Sequence, residues 1–125
     1  MPYLSMLSER LIDHFQSPRN VGELPAPAVT VEVENPACGD VLRLSVTLEA
    51  GRVVAARYRV RGCTASIAAG SALTELLLER GPEGVTAEDL EDAVGGLPIE
   101  SKHAAALCLD ALRRLNSVLT TARSE

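Results

Sequence analysis

Aromatic side chains are nearly absent from this 125-residue chain: Tyr3, Phe15 and Tyr58 are all it has, and tryptophan is missing. The core must therefore be aliphatic, and Leu, Val and Ala are abundant enough to build one. Basic charge is also short. Twelve Lys and Arg face seventeen Asp and Glu, a net charge of −5, which argues against non-specific binding to nucleic acid or to anionic lipid at a membrane. No apolar run approaches the ~20 residues that a membrane span needs. The N-terminus shows no basic segment followed by an apolar stretch, so no secretory signal is expected. Cysteine is scarce and odd in number: three thiols without a signal point to reduced cysteines in the cytoplasm rather than a disulfide framework.

What is present has a clear order. The length fits one domain, read as residues 1–125, without repeats, low-complexity segments or long linkers. Residues 5–16 have helical spacing, with Leu7, Leu11, Ile12 and Phe15 on one face, and Pro18 ends that helix. Pro25 and Pro27 keep the next stretch extended before the alternating Val29-Thr30-Val31-Glu32-Val33. The alternating runs Val41–Leu48 and Val53–Val60 flank a Glu49-Ala50-Gly51-Arg52 turn, a hairpin signal. From Thr64 the pattern becomes helical, with Ala65, Ala68, Ala69, Ala72, Leu73, Leu76 and Leu77 as a small-residue stripe able to lie close on a sheet. Arg80-Gly81-Pro82 stops it. Thr86-Ala87-Glu88-Asp89 resembles a capping box, and Gly95-Gly96-Leu97-Pro98 precedes a last helix from about Glu100 to Ala122. The expected architecture is α+β: a three-stranded antiparallel sheet with helices packed on one face, preceded by an N-terminal helix.

The chemistry concentrates at two thiols in presenting positions. Cys38 sits in the turn-like Pro36-Ala37-Cys38-Gly39-Asp40, where glycine permits a positive φ and leaves room beside the sulfur. Free cysteine is often buried, but a polar, glycine-containing turn is a poor place to bury one. Cys63, in Gly62-Cys63-Thr64, closes a strand and precedes a helix whose dipole would favour thiolate. Such a thiolate can ligate metal or take sulfur from a persulfide. Soft thiolates select zinc, copper(I) or iron–sulfur clusters. Asp40, two residues past Cys38, would share its face if the turn ran straight into the strand; the spacing equally allows a turn-capping aspartate. His103 near the last helix and His14 on the first are lone histidines, and His14 reads as a surface or packing residue. Arg19 and Asn20 read as ordering the N-terminal segment against the sheet.

Leu11-Ile12-Asp13-His14-Phe15, Ser17-Pro18-Arg19-Asn20-Val21-Gly22, Pro36-Ala37-Cys38-Gly39-Asp40 and Gly62-Cys63-Thr64-Ala65-Ser66, in that order, resemble the U-type iron–sulfur scaffold family: IscU, SufU and the N-terminal domain of NifU. The likeness runs from about the tenth residue to the last helix. It implies a scaffold or carrier, not an enzyme, that holds iron or a [2Fe–2S] cluster on Cys38, Asp40, Cys63 and His103. It further implies sulfur from a cysteine desulfurase and delivery to apo iron–sulfur acceptor proteins. An aspartate ligand would be harder and more exchangeable than thiolate, and an imidazole ligand would raise a cluster's potential.

The sequence departs from the family at Ala104, where the resemblance sets a third cysteine directly after the histidine. Cys108 lies four residues on, about 40° around the helix. It shares an apolar stripe with Ala104, Ala111, Leu112, Leu115 and Leu119, so it reads as a core residue rather than a ligand. Leu97-Pro98-Ile99-Glu100-Ser101-Lys102 does not match the Leu-Pro-Pro-Val-Lys stretch of members that work with a DnaK-type chaperone. The insertion of zinc-binding SufU members is not evident. A second class of function follows from the missing cysteine: a paralogue that binds zinc, or no metal, and acts through protein contacts, since a Cys₂AspHis set suits zinc. A thiol enzyme with Cys63 as nucleophile and His103 as base lacks an oxyanion motif.

Overall fold

The computed structural model describes residues 7–36 and 39–124, with side chains described as far as Thr120. Its elements are α1 (Glu9–Gln16), β1 (Val29–Glu34), β2 (Val41–Glu49), β3 (Arg52–Arg61), α2 (Thr64–Arg80), α3 (Ala87–Ala93), a 3₁₀ turn (Ile99–Ser101) and α4 (His103–Ser124). The three strands form one antiparallel sheet in the order β1-β2-β3. The expected α+β architecture is the one observed. Ala50 and Gly51 close the hairpin with φ of 53° and 79°. Two positive φ values give the turn whose twist matches its strands, and Gly51 meets that demand without strain.

Alternation divides the sheet into faces. Val31, Leu42, Leu44, Val46, Ala56 and Tyr58 are buried inward, whereas Arg43, Arg57, Arg59 and Arg61 lie on the opposite face. The expected α2 stripe from Ala65 to Leu77 is buried throughout, and α4 adds Ala104, Leu107, Cys108, Ala111 and Leu115. Small residues let α2 approach β3 closely. Gly70 is where the approach is tightest: a Cβ there would lie 2.6 Å from the Tyr58 ring. Tyr58 is 1% exposed, and its hydroxyl donates to the Ile67 carbonyl at 2.8 Å. Burial pushes its pKa up to about 12.

Three sequence expectations need correction. Among the described residues the N-terminal helix starts at Glu9, because Ser8 caps it by accepting the Leu11 N–H at 3.0 Å, and residues 5 and 6 of the expected span lie outside the described residues. Its buried face carries Leu11 and His14, while Phe15 is exposed; α2 offers His14 a hydroxyl partner, so a polar ring displaces the apolar one. The last helix proper begins at His103, after the 3₁₀ turn. The capping box forms as expected: Thr86 accepts from the Asp89 N–H at 3.1 Å, and Asp89 accepts from the Thr86 N–H at 2.9 Å. Asn20 and Val21 run beside β3, with the Tyr58 N–H donating to the Asn20 carbonyl and the Gly22 N–H to the Tyr58 carbonyl. Among the described residues no helix is long and apolar enough to cross a membrane.

Candidate metal centre

Three chain ends meet at one point beside the sheet. Val41 pairs with Arg61, so Asp40, just before β2, falls beside Gly62 and Cys63, just after β3. Gly62 makes that approach possible: a Cβ there would sit 2.7 Å from the Asp40 carboxyl carbon. Cys63 is the N-cap of α2, with φ −81° and ψ 173°, and its side chain makes no capping hydrogen bond. The sulfur thus caps no backbone N–H of the helix it precedes. His103 opens α4, after the 3₁₀ turn. The preceding Lys102 is ion-paired with Glu91, which ties the start of α4 to α3.

The three side chains converge. Cys63 Sγ lies 3.2 Å from His103 Nε2, and that nitrogen lies 3.6 Å from Asp40 Oδ2. One ligand atom from each residue falls within 4.8 Å of the others. Asp40 is 7% exposed, whereas Cys63 and His103 are half-buried. The Asp40 carboxylate also lies near the N-terminus of α2, where negative charge is favoured.

Of the four residues singled out in the sequence, three are therefore adjacent. Cys38 lies outside the described residues. Its chain distance to Asp40 is two residues, a reach of at most about 7 Å. The supposition that the turn runs straight from Cys38 into β2 fails, however. Gly39 has φ +76°, its N–H donates to the Asn35 carbonyl at 2.7 Å, and β2 starts only at Val41. The Asp40 carboxylate has a partner among the described residues outside its turn. It accepts from the Ser66 hydroxyl at 2.6 Å.

Ser66 is the participant that sequence reasoning passed over. It is 1% exposed and lies 3.4 Å from Cys63 Sγ as well. The available signal was position: three residues into a helix capped by Cys63, a side chain leans back toward the cap. Ala104 and Cys108 face the core. Ala104 is fully buried, and burial pushes the Cys108 thiol up to about 12, which keeps it protonated. Cys108 is a core residue, as its apolar stripe suggested.

The donor set suits a metal. Sulfur, imidazole and carboxylate are zinc's protein ligands at about 2.0–2.3 Å, and a tetrahedron of that size sets ligand atoms about 3.3–3.8 Å apart. Two of the three separations, 3.2 and 3.6 Å, are close to that span, and the third pair lies within 4.8 Å.

The fold is that of a small α+β protein, and its thiol–imidazole–carboxylate cluster is a candidate site for a soft or borderline metal. The NifU-like N-terminal domain model matches residues 6–118, and the chain belongs to that family. It is 46% identical over 112 residues to the bifunctional protein NifU/MnmA of Rubrobacter xylanophilus, covering 84% of this chain and 22% of that protein. It is 36% identical over 112 residues to an iron–sulfur cluster assembly scaffold protein IscU of Archaeoglobus fulgidus, covering 87% of this chain and 73% of the relative. A solved structure from Fervidobacterium islandicum, described as a candidate iron–sulfur cluster assembly scaffold for the SUF system, shares the fold. Its TM-score is 0.64 at 18% identity, over 87% of this chain and 95% of the other. The Archaeoglobus fulgidus relative is named as an iron–sulfur cluster assembly scaffold protein.

Proposed function

We propose that residues 1–125 form one scaffold domain that takes iron or a [2Fe–2S] cluster as cargo on Cys38, Asp40, Cys63 and His103. Sulfur comes from a cysteine desulfurase as persulfide, and the assembled cargo passes to apo iron–sulfur acceptor proteins in the cytoplasm. The protein acts as a carrier rather than a catalyst. The convergence of Asp40, Cys63 and His103 within 4.8 Å is the observation that carries this reading. Mixed ligation is chemically apt for a carrier, because a carboxylate and an imidazole exchange more readily from a soft site than thiolates do. The altered Leu97–Lys102 stretch gives no support to a DnaK-type chaperone as partner.

A second reading has its own support. Two of the three donor separations are close to those around one tetrahedral ion, which supports zinc held by the same residues. Anaerobic reconstitution with iron and sulfide separates the two. Equal iron and sulfide per chain, with visible charge-transfer bands lost in Cys38→Ala and Cys63→Ala and weakened in His103→Ala, is the expected result. Zinc retained with no sulfide taken up would overturn the cluster reading and leave the zinc one.

A further inference from the structure

We infer that Ser66 is a positioning residue for Asp40, and that its hydroxyl sets how tightly the site grips a metal. The inference rests on the reading of Asp40, Cys63 and His103 as ligands. Ser66 has one proton to give and two acceptors within reach. Asp40 Oδ2 stands at 2.6 Å and Cys63 Sγ at 3.4 Å. The shorter contact, to a charged oxygen, takes the proton, since charge-assisted hydrogen bonds are about twice as strong as neutral ones.

Geometry makes this contact a clamp. On one side of the Asp40 carboxyl group is Gly62, so close that a Cβ would sit 2.7 Å from both Cγ and Oδ2. On the other is the Ser66 hydroxyl, fixed by its place in the first turn of α2 and 1% exposed. A carboxylate held between a glycine backbone and a buried hydroxyl has little rotameric freedom left. Its Oδ2 stays where His103 Nε2 is 3.6 Å away. The ligand is thereby oriented before metal arrives, so binding loses less side-chain entropy. The donated proton also draws charge from the carboxylate, which keeps it a moderate rather than a strong ligand.

Groups that orient metal ligands in this way change affinity by about 10–100-fold when removed. Cobalt(II) is a suitable probe, titrated into the full chain under anaerobic, reducing conditions. Its d–d and thiolate charge-transfer bands report coordination directly. Ser66→Ala is expected to bind cobalt about tenfold or more weakly, with the charge-transfer band retained through Cys63 and the d–d bands altered. Ser66→Thr, which keeps the hydroxyl, should recover most of the affinity. In an Asp40→Ala background, Ser66→Ala should add less than about twofold, because its effect runs through the carboxylate. Thermal midpoints of all variants identify any loss of fold, and Ser66→Gly gives a second truncation should Ser66→Ala melt early. Wild-type affinity in Ser66→Ala, or an equal loss in the Asp40→Ala background, would overturn the inference alone. A wild-type chain that binds no cobalt would instead overturn the metal-site reading, and this inference with it.

Discussion

Helix α2 carries two polar clusters, each with a histidine and a serine, and they are built to opposite ends. Near its middle, His14 of α1 is 7% exposed with Nδ1 2.8 Å from Ser71 Oγ. Ser71 Oγ also accepts the Arg19 N–H at 2.9 Å, and Thr74 Oγ1 accepts from Asn20 Nδ2 at 3.1 Å. Asn20 Oδ1 in turn accepts from Arg57 at 3.1 Å. Donors and acceptors nearly balance there; among the described residues only Arg19 Nη1 is a buried side-chain nitrogen or oxygen without a hydrogen-bond partner. At the N-terminus of α2, by contrast, a thiol, an imidazole nitrogen and a carboxylate oxygen crowd together, and the one strong hydroxyl donor among them goes to Asp40. The first cluster is complete without a ligand. The second has lone pairs to spare, which a cation would accept. A buried histidine is thus no sign of a metal site; a surplus of acceptors around it is.

Two glycines test this contrast most strongly. Both sit where a Cβ would collide, but with different neighbours. Gly70→Ala drives a methyl into the buried Tyr58 ring at 2.6 Å. With the ring hemmed in by core, the cost should be about 3 kcal/mol, the upper end of ordinary overpacking, read as a lower denaturant midpoint. Gly62→Ala meets the Asp40 carboxylate instead, at 2.7 Å. The added methyl would force that carboxylate off its Ser66 hydrogen bond without entering the apolar core, so the variant should fold while losing cobalt affinity about tenfold or more. Equal stability losses in the two variants, with cobalt binding intact in Gly62→Ala, would erase the distinction.

Acid sharpens it next. Desolvation by burial, joined by the Arg19 charge, lowers the His14 pKa from its ordinary 6.5, while Glu75 and Asp13 act in the opposite sense. The folded ring therefore takes up a proton less readily than the unfolded one. Stability is fully present above 6.5 and is lost as the pH falls below it, because the unfolded chain then binds more protons. Urea midpoints measured from pH 7.5 down to 5.5 should fall in the wild type and flatten in His14→Gln. Ser71→Ala should cost about 1–3 kcal/mol at neutral pH, since it strips partners from His14 and from the Arg19 N–H. Neither variant should change cobalt affinity at neutral pH by more than about twofold.

The fold was largely legible in the sequence because its signals are local and repeated. The period-2 runs around Ala50-Gly51 and the alanine stripe of α2 each demand one structure. Capping at Thr86 and Ser8 follows from residue type and spacing, although among the described residues the N-terminal helix begins later than its apolar periodicity suggested. The site was legible in part. Cys63 could be named from its place between a strand and a helix, whereas Asp40 and His103 were singled out by the resemblance to the scaffold family. Ser66 and Gly62 could not be named, since a serine and a glycine acquire meaning only from what stands opposite them. His14 was hidden for the same reason: its burial depends on Ser71, 57 residues away in sequence. Contacts across such distances leave no periodicity to read.

Cys108 supplies the smallest effect and the finest test of where the site ends. It lies one helical turn beyond Ala104, and both are buried in the apolar face of α4. Burial pushes its pKa up to about 12, so a metal would have to displace a tightly held proton and open the core to reach it. Cys108→Ala should therefore lower stability by about 1 kcal/mol, the cost of a methyl-sized void, and leave cobalt affinity within about twofold of wild type. Cys63→Ala should do the reverse, weakening the thiolate charge-transfer band and cobalt affinity with little change in melting, because the Cys63 sulfur is half-buried and caps no backbone group. A fall in cobalt affinity in Cys108→Ala beyond about threefold would mean that the last helix turns this thiol toward the metal. The line drawn here between core and site along α4 would then have to move by one turn.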